Sequence, residues 1–248
     1  MSDPSNEDDQ QHTRRKRYER KQHRLLRKGI AMNNKAIADL SFGSKQQAPY
    51  EALKKSFQIL RRAATKTGGL DRATCDAANV CHDAFPLHFA REQSFQDGYI
   101  YNSLLSIDEE QLPSNRRFAG DLCFSIIVFN LALINHNESL TNMKSNNEHG
   151  ALASNLYNHA IGVLGHMENR GTTALVRIAA LNNLTQLRFQ VGNYSLARES
   201  LQHLALIVSA GSLEKDQRAK RPVIDEEAKK GMIMNILSLS NQHVAAAA

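Results

Sequence analysis

Ala180-Leu181-Asn182-Asn183-Leu184-Thr185-Gln186-Leu187-Arg188-Phe189-Gln190-Val191-Gly192-Asn193-Tyr194-Ser195-Leu196-Ala197 is the stretch from which the fold is read. Leu181, Leu184 and Leu187 or Arg188 recur at helical spacing and line one face. Gly192-Asn193 then ends the helix, because both residues tolerate the left-handed conformation found at helix C-termini. A second helix follows, in which Ala197, Leu201 and Leu204 are spaced to pack back on the first, with Ile207 extending the pattern. A small residue at Ala197 lets the two backbones approach closely. The expected unit is a helix–turn–helix hairpin.

The pair Leu184-Thr185, the turn at Gly192, Tyr194 and the triplet Ala197, Leu201, Leu204 together resemble a tetratricopeptide repeat, a helical hairpin of 34 residues. The unit departs from that pattern at Ser209, where the family has proline, and at Leu204, where alanine is usual. Two more diverged copies follow the same order. Val128-Phe129-Asn130-Leu131-Ala132 opens one, with Ala153, Tyr157 and Ala160 on its second helix and the polar stretch 137–150 as an enlarged turn. Asn33-Asn34-Lys35-Ala36, Gly43, Tyr50, Ala52-Leu53 and Ile59-Leu60 form the other, its turn extended over 44–49. The arrangement looks like the expanded tetratricopeptide-like families of diatoms, which imply no assigned activity. The fold class expected is all-α: about three diverged hairpin units that stack because one hairpin cannot bury its own apolar face.

Outside the repeats, Asp225-Glu226-Glu227 opens a last helix after Pro222, and Met232, Ile233, Ile236, Leu237 and Leu239 offer a capping face. Residues 68–114 repeat nothing. Phe85, Leu87 and Phe89 alternate with other residues, Tyr99-Ile100-Tyr101 is β-prone and Asp97-Gly98 is a turn signal, so a small inserted β-hairpin is expected there, ending near Pro113 and Asn115. The domain reading is a disordered basic tail over 1–28 and a helical repeat domain over 29–248.

Charge is concentrated in that tail. The 248 residues carry a net charge of +6, and nine Lys/Arg against five Asp/Glu lie between Met1 and Lys28. The run is Arg14, Arg15, Lys16, Arg17, Arg20, Lys21, Arg24, Arg27 and Lys28. Closely spaced cations attract polyanions and acidic receptor grooves, so the run reads as a nucleic-acid or nuclear-import patch, with a solvated arm as the bland alternative. No apolar stretch follows it, as a secretory signal would require. The longest apolar run, 122–134, is short for a bilayer. Three cysteines make no disulfide framework, so an intracellular setting, cytoplasmic or nuclear, is expected.

Catalytic patterns are missing from the sequence. Gly43-Ser44-Lys45 lacks the upstream glycine of a phosphate loop, and neither a His-Glu-x-x-His nor a Gly-x-Ser-x-Gly motif occurs. Cys75, Cys81, His82 and His88 do not have zinc-ligand spacing, so neither a metal nor a cofactor is expected. Glu199 and His203 lie one turn apart with no nucleophile to serve. His159 and His166 read as surface or packing residues. No enzyme is expected.

What recurs is asparagine. Asn34, Asn130 and Asn183 each stand two residues before the small residue (Ala36, Ala132, Thr185) of a unit's first helix. The resemblance implies that first helices line a concave groove and that asparagines there hydrogen-bond the main chain of a bound peptide. An amide suits this, offering both a donor and an acceptor to a peptide group. Asn182, Gln186, Phe189 and Gln190 belong to the same expected groove face. The functional expectation is a scaffold binding a protein or peptide segment in that groove, with a polyanion-binding protein using the basic arm as the alternative.

Overall fold

The computed structural model describes residues 4–41, 47–64, 84–86, 99–141, 146–169, 171–209 and 226–246. Among them the chain is mostly helical, with α1 (Pro4–Ser41), α2 (Gln47–Ala64), α3 (Arg116–Thr141), α4 (Asn146–Leu164), α5 (Gly171–Gln190), α6 (Tyr194–Ser209) and α7 (Glu226–Ala246). Helices pair as α1 with α2, α3 with α4 and α5 with α6, and the pairs join through α2–α3, α4–α5 and α6–α7. Successive hairpins thus stack in chain order, and α3 also touches both α1 and α5 directly.

The α5–α6 turn follows the sequence reading atom by atom. Gly192 takes φ +74°, its N–H donates to the Phe189 carbonyl at 3.0 Å, and the Asn193 N–H donates to the Arg188 carbonyl at 2.8 Å. These two bonds satisfy carbonyls that a helix end leaves bare. Asn193 then caps α6, its Oδ1 accepting from the Leu196 N–H at 3.3 Å. Ala197 and Leu204 are buried where α6 meets α5. α5 itself is buried on nearly every side, as suits the central helix of the stack.

Two expectations change. The polar stretch 137–150 is not an enlarged turn: α3 runs to Thr141 and α4 starts at Asn146. Polar side chains along the last turns of α3 find partners on the helix's own carbonyls, Asn135 Nδ2 on Leu131 at 2.8 Å, Ser139 Oγ on His136 at 2.7 Å and Thr141 Oγ1 on Asn137 at 3.2 Å. The basic run lies on α1, which starts at Pro4 and passes through residue 28 without a break. Proline suits the first helical position, where its missing N–H costs nothing. Packing extends along α1, with Tyr18, Gln22, Leu25 and Leu26 half-buried and Gly29 and Ile30 buried. Gly29 is a close approach to α2, because a Cβ there would meet Leu60, and its carbonyl accepts from Ser56 Oγ at 2.7 Å. Finally, α7 packs through Ala228, Met232 and Asn235 with Ile236 half-buried, while Ile233 and Leu237 face outward.

Two short strands, β1 (Ala84–Pro86) and β2 (Ser103–Leu105), pair antiparallel with Phe85 opposite Leu104. The sheet is real, but β2 lies beyond Tyr99-Ile100-Tyr101, and the Asp97-Gly98 turn lies outside the described residues. After β2 a 3-10 turn over Glu109–Gln111 leads to Asn115, whose Oδ1 accepts the Arg117 and Phe118 N–H groups and caps α3.

By length and mean hydropathy (1.8 over its best window) α3 is apolar enough to cross a bilayer, longer than the 122–134 run suggests. Its Ile126, Ile127, Phe129 and Leu133 are instead fully buried among the other helices.

Candidate functional site: an asparagine-clamped strand

The odd-numbered helices share one side of the stack, and a segment of the chain itself lies along it. Residues 99–107, between α2 and α3 in sequence, run extended across α7, α5, α3 and α1 in that order. Four asparagines, one on each helix, hold the segment's main chain by the same two-bond ring. Asn235 accepts the Tyr99 N–H at 2.7 Å and donates to its carbonyl at 2.6 Å. Asn183 does so with Tyr101 at 2.8 and 2.9 Å, and Asn130 with Leu105 at 2.9 and 2.9 Å. Asn34 closes the series on Ile107 at 2.9 and 2.8 Å.

Spacing explains why four helices reach four residues of one strand. An extended chain rises about 3.3 Å per residue, so the clamped positions span about 26 Å from first to last. Three steps between helices packed 8–10 Å apart cover a similar length. Clamped residues share one parity, because amides of the same parity point to the same edge of a strand.

The clamps are themselves tied into two matching triads. Asn33 donates to Asn34 Oδ1 at 3.1 Å and to the Leu105 carbonyl at 3.3 Å, and accepts from Asn130 Nδ2 at 2.9 Å. Asn182 donates to Asn183 Oδ1 at 3.1 Å and to the Tyr99 carbonyl at 2.9 Å, and accepts from Asn235 Nδ2 at 2.7 Å. The dipeptides Asn33-Asn34 and Asn182-Asn183 therefore do the same work on α1 and α5. In each, the second residue clamps the strand and the first bridges to the asparagine of the next odd helix. Asn33, Asn130, Asn182 and Asn183 are almost wholly buried, and only a full set of partners makes that affordable.

Beneath the second triad a further chain runs into the core. Asn183 Nδ2 donates to the Tyr157 hydroxyl at 3.0 Å, and that hydroxyl lies 3.4 Å from His136 Nδ1. Burial pushes the Tyr157 phenol up and the His136 imidazole down to about 3, so both stay neutral. Phe129 packs between the rings of Tyr101 (6.0 Å) and Tyr157 (5.8 Å). On the strand itself Ile100, Tyr101, Leu104, Leu105 and Ile107 are all buried.

Asn34, Asn130, Asn182 and Asn183 thus come together on one strand as bearers of main-chain hydrogen bonds. The occupant is the chain's own segment. Gln186, Phe189 and Gln190 do not join them: Gln186 is buried with no partner for Nε2 among the described residues, Phe189 packs edge-on against Tyr194, and Gln190 is exposed. Asn33, Asn235 and Tyr157 were not anticipated. The doubled Asn-Asn dipeptide was the visible signal for Asn33, whereas Asn235 sits in a helix read only as a cap.

The basic residues Arg14, Arg15, Lys16, Arg17, Arg20, Lys21, Arg24, Arg27 and Lys28 are exposed on α1. Glu199 and His203 are both exposed on α6, and Cys75, Cys81, His82 and His88 lie outside the described residues. Among the described residues no three His, Cys, Asp or Glu side chains gather where a metal ion would bind. Asp121 meets His166 at 3.4 Å near the surface; burial raises its carboxyl against the opposing pull of His166 and Arg117.

No family model matches the sequence, and neither a curated protein nor a solved structure gives a match.

Proposed function

We propose that the protein is a non-catalytic interaction scaffold of tetratricopeptide type, whose odd helices receive an extended polypeptide through main-chain clamps. The repeated two-bond ring between Asn34, Asn130, Asn183 or Asn235 and a single strand is the observation that supports this reading. Such rings address peptide groups and ignore side chains, so they suit many sequences. Preference then comes from the apolar pockets that take Ile100, Tyr101, Leu104 and Leu105.

In this reading residues 99–107 are a resident ligand, and a partner's segment binds by taking their place. A tethered segment competes at an effective concentration of about millimolar, so a free peptide of the same sequence enters the intact chain poorly. The test is uptake of a labelled synthetic peptide spanning residues 99–107. A chain carrying Tyr101→Pro and Leu105→Pro loses two clamped N–H donors and weakens its own strand. It should take up the peptide at about micromolar Kd, roughly −8 kcal/mol, while the unaltered chain does not. Adding Asn34→Ala, Asn130→Ala and Asn183→Ala should abolish uptake. A double-proline chain that keeps its helical circular dichroism yet ignores the peptide overturns the reading.

A further inference from the structure

We infer that the exposed arc of α1 binds duplex nucleic acid through its phosphates, without reading its bases. The observation is separate from the clamped strand. On a helix of 3.6 residues per turn, Arg14, Arg17, Lys21, Arg24 and Lys28 recur at steps of three and four and fall on one stripe. Lys16, Arg20 and Arg27 flank that stripe, while Tyr18, Gln22, Leu25, Leu26 and Ile30 occupy the opposite, packed side. Charge and packing thus divide the helix lengthwise, and the stripe extends about 21 Å along its axis.

Few of these cations are neutralised within the chain. Among the described residues only Arg15, with Glu19 at 3.3 Å, and Arg27, with Glu109 at 3.3 Å, have a carboxylate partner. None of the five stripe residues has one among the described residues. A linear row of uncompensated cations raises the local potential and matches the regular charge of a duplex backbone. Arginine predominates, and its planar fork makes paired hydrogen bonds to phosphate oxygens.

The residue types argue against a lipid surface. Every exposed residue from 10 to 28 is polar or charged, so the arc has nothing apolar to insert below the headgroups. Phosphate contacts carry no sequence information, and the stripe holds no asparagine or glutamine to pair with adenine edges.

Fluorescence anisotropy of the full chain with a labelled twenty-base-pair DNA duplex tests the inference, with duplex RNA, polyglutamate and phosphatidylserine vesicles as further arms. Five to eight neutralised phosphates predict that log K falls against log salt with a slope between about −4 and −7. The R14Q/R17Q/K21Q/R24Q/K28Q chain should lose at least about tenfold in affinity at low salt and show a shallower slope, while K55Q/R198Q, altered on α2 and α6, binds as before. Circular dichroism checks that the quintuple variant keeps its helix. Scrambling the DNA sequence should change nothing. Absence of duplex binding, binding that survives the five substitutions, or tighter binding to polyglutamate or vesicles than to either duplex overturns it.

Discussion

Asn183 and Tyr101 lie 82 positions apart in the chain and form a closed ring of two hydrogen bonds, Tyr101 N–H to Oδ1 at 2.8 Å and Nδ2 to the Tyr101 carbonyl at 2.9 Å. The same amide also gives its second Nδ2 hydrogen to Tyr157 and accepts from Asn182, so all four of its bonding positions are filled. A buried asparagine in that condition holds the α5 helix, the strand and α4 to one another.

Removing it should therefore cost more than removing its counterpart near the surface. Asn183→Ala removes both of its main-chain bonds to buried Tyr101, together with the bond to Tyr157, and should lower unfolding free energy by about 3 kcal/mol. Asn34→Ala exposes half-buried groups that water can reach, at a cost of about 1 kcal/mol. Urea titration of both variants gives the comparison. Equal losses would show that the strand is not held from its inner end.

Gly231 lies one helical turn before Asn235 and directly under the ring of Tyr99, where a Cβ would collide with the ring carbons. Gly231→Ala should push Tyr99 off the Asn235 clamp while leaving Asn34 and Ile107 in place. Hydrogen exchange should then quicken at the Tyr99 amide by tenfold or more, corresponding to about 1.4 kcal/mol, with little change at Ile107. Uniform exchange along 99–107 would contradict the picture of independent clamps.

Gly192→Ala tests the hairpin turn. A Cβ there meets nothing within 4 Å, so the substitution measures the backbone conformation at φ +74° alone. A loss of about 1 kcal/mol is expected in urea unfolding. A neutral result would mean that the turn relaxes out of the left-handed region.

Acid should destabilise the chain through His136. Its imidazole is held neutral by burial, down to about 3 from a normal value of 6.5, and its Nε2 has no partner among the described residues. Because the folded value lies below the unfolded one, the unfolded chain binds the extra proton between them. Stability from this group is complete above about pH 6.5 and falls by about 1.4 kcal/mol per pH unit on the way down to 3. Unfolding free energies of the native chain and of His136→Gln, measured from pH 7 to pH 4, should diverge in slope by that amount. Parallel curves would remove His136 from the account.

Much of this was legible locally. Leu181, Leu184, Ala197 and Leu204 announce a hairpin because helical packing repeats every three to four residues, and Gly192 announces its turn because few other residues accept a positive φ. Asn34, Asn130 and Asn183 were recognisable because each stands two residues before the small residue of a unit's first helix, a place where the tetratricopeptide resemblance implies main-chain hydrogen bonds. The extent of helix was less legible. Asn135, Ser139 and Thr141 look like turn residues in sequence, yet they lie within α3 with their side chains bonded to carbonyls three or four residues back. The N-terminal run reads as a charged tail until its sparse apolar positions, Tyr18, Leu25 and Leu26, are seen against the rest of the stack.

The sequence by itself determined the helical hairpins, their turns and a row of asparagines fit to hold a main chain, since each depends on residues within a few turns of one another. Only the tertiary structure decided which main chain they hold. Four side chains from α1, α3, α5 and α7 meet on residues 99–107 because stacking brings the odd helices side by side, and a hydrogen bond across 82 residues leaves no periodic trace in the sequence. Burying Asn33, Asn130, Asn182, Asn183 and Asn235 demands partners for their amides, and an extended segment of the same chain supplies many of them.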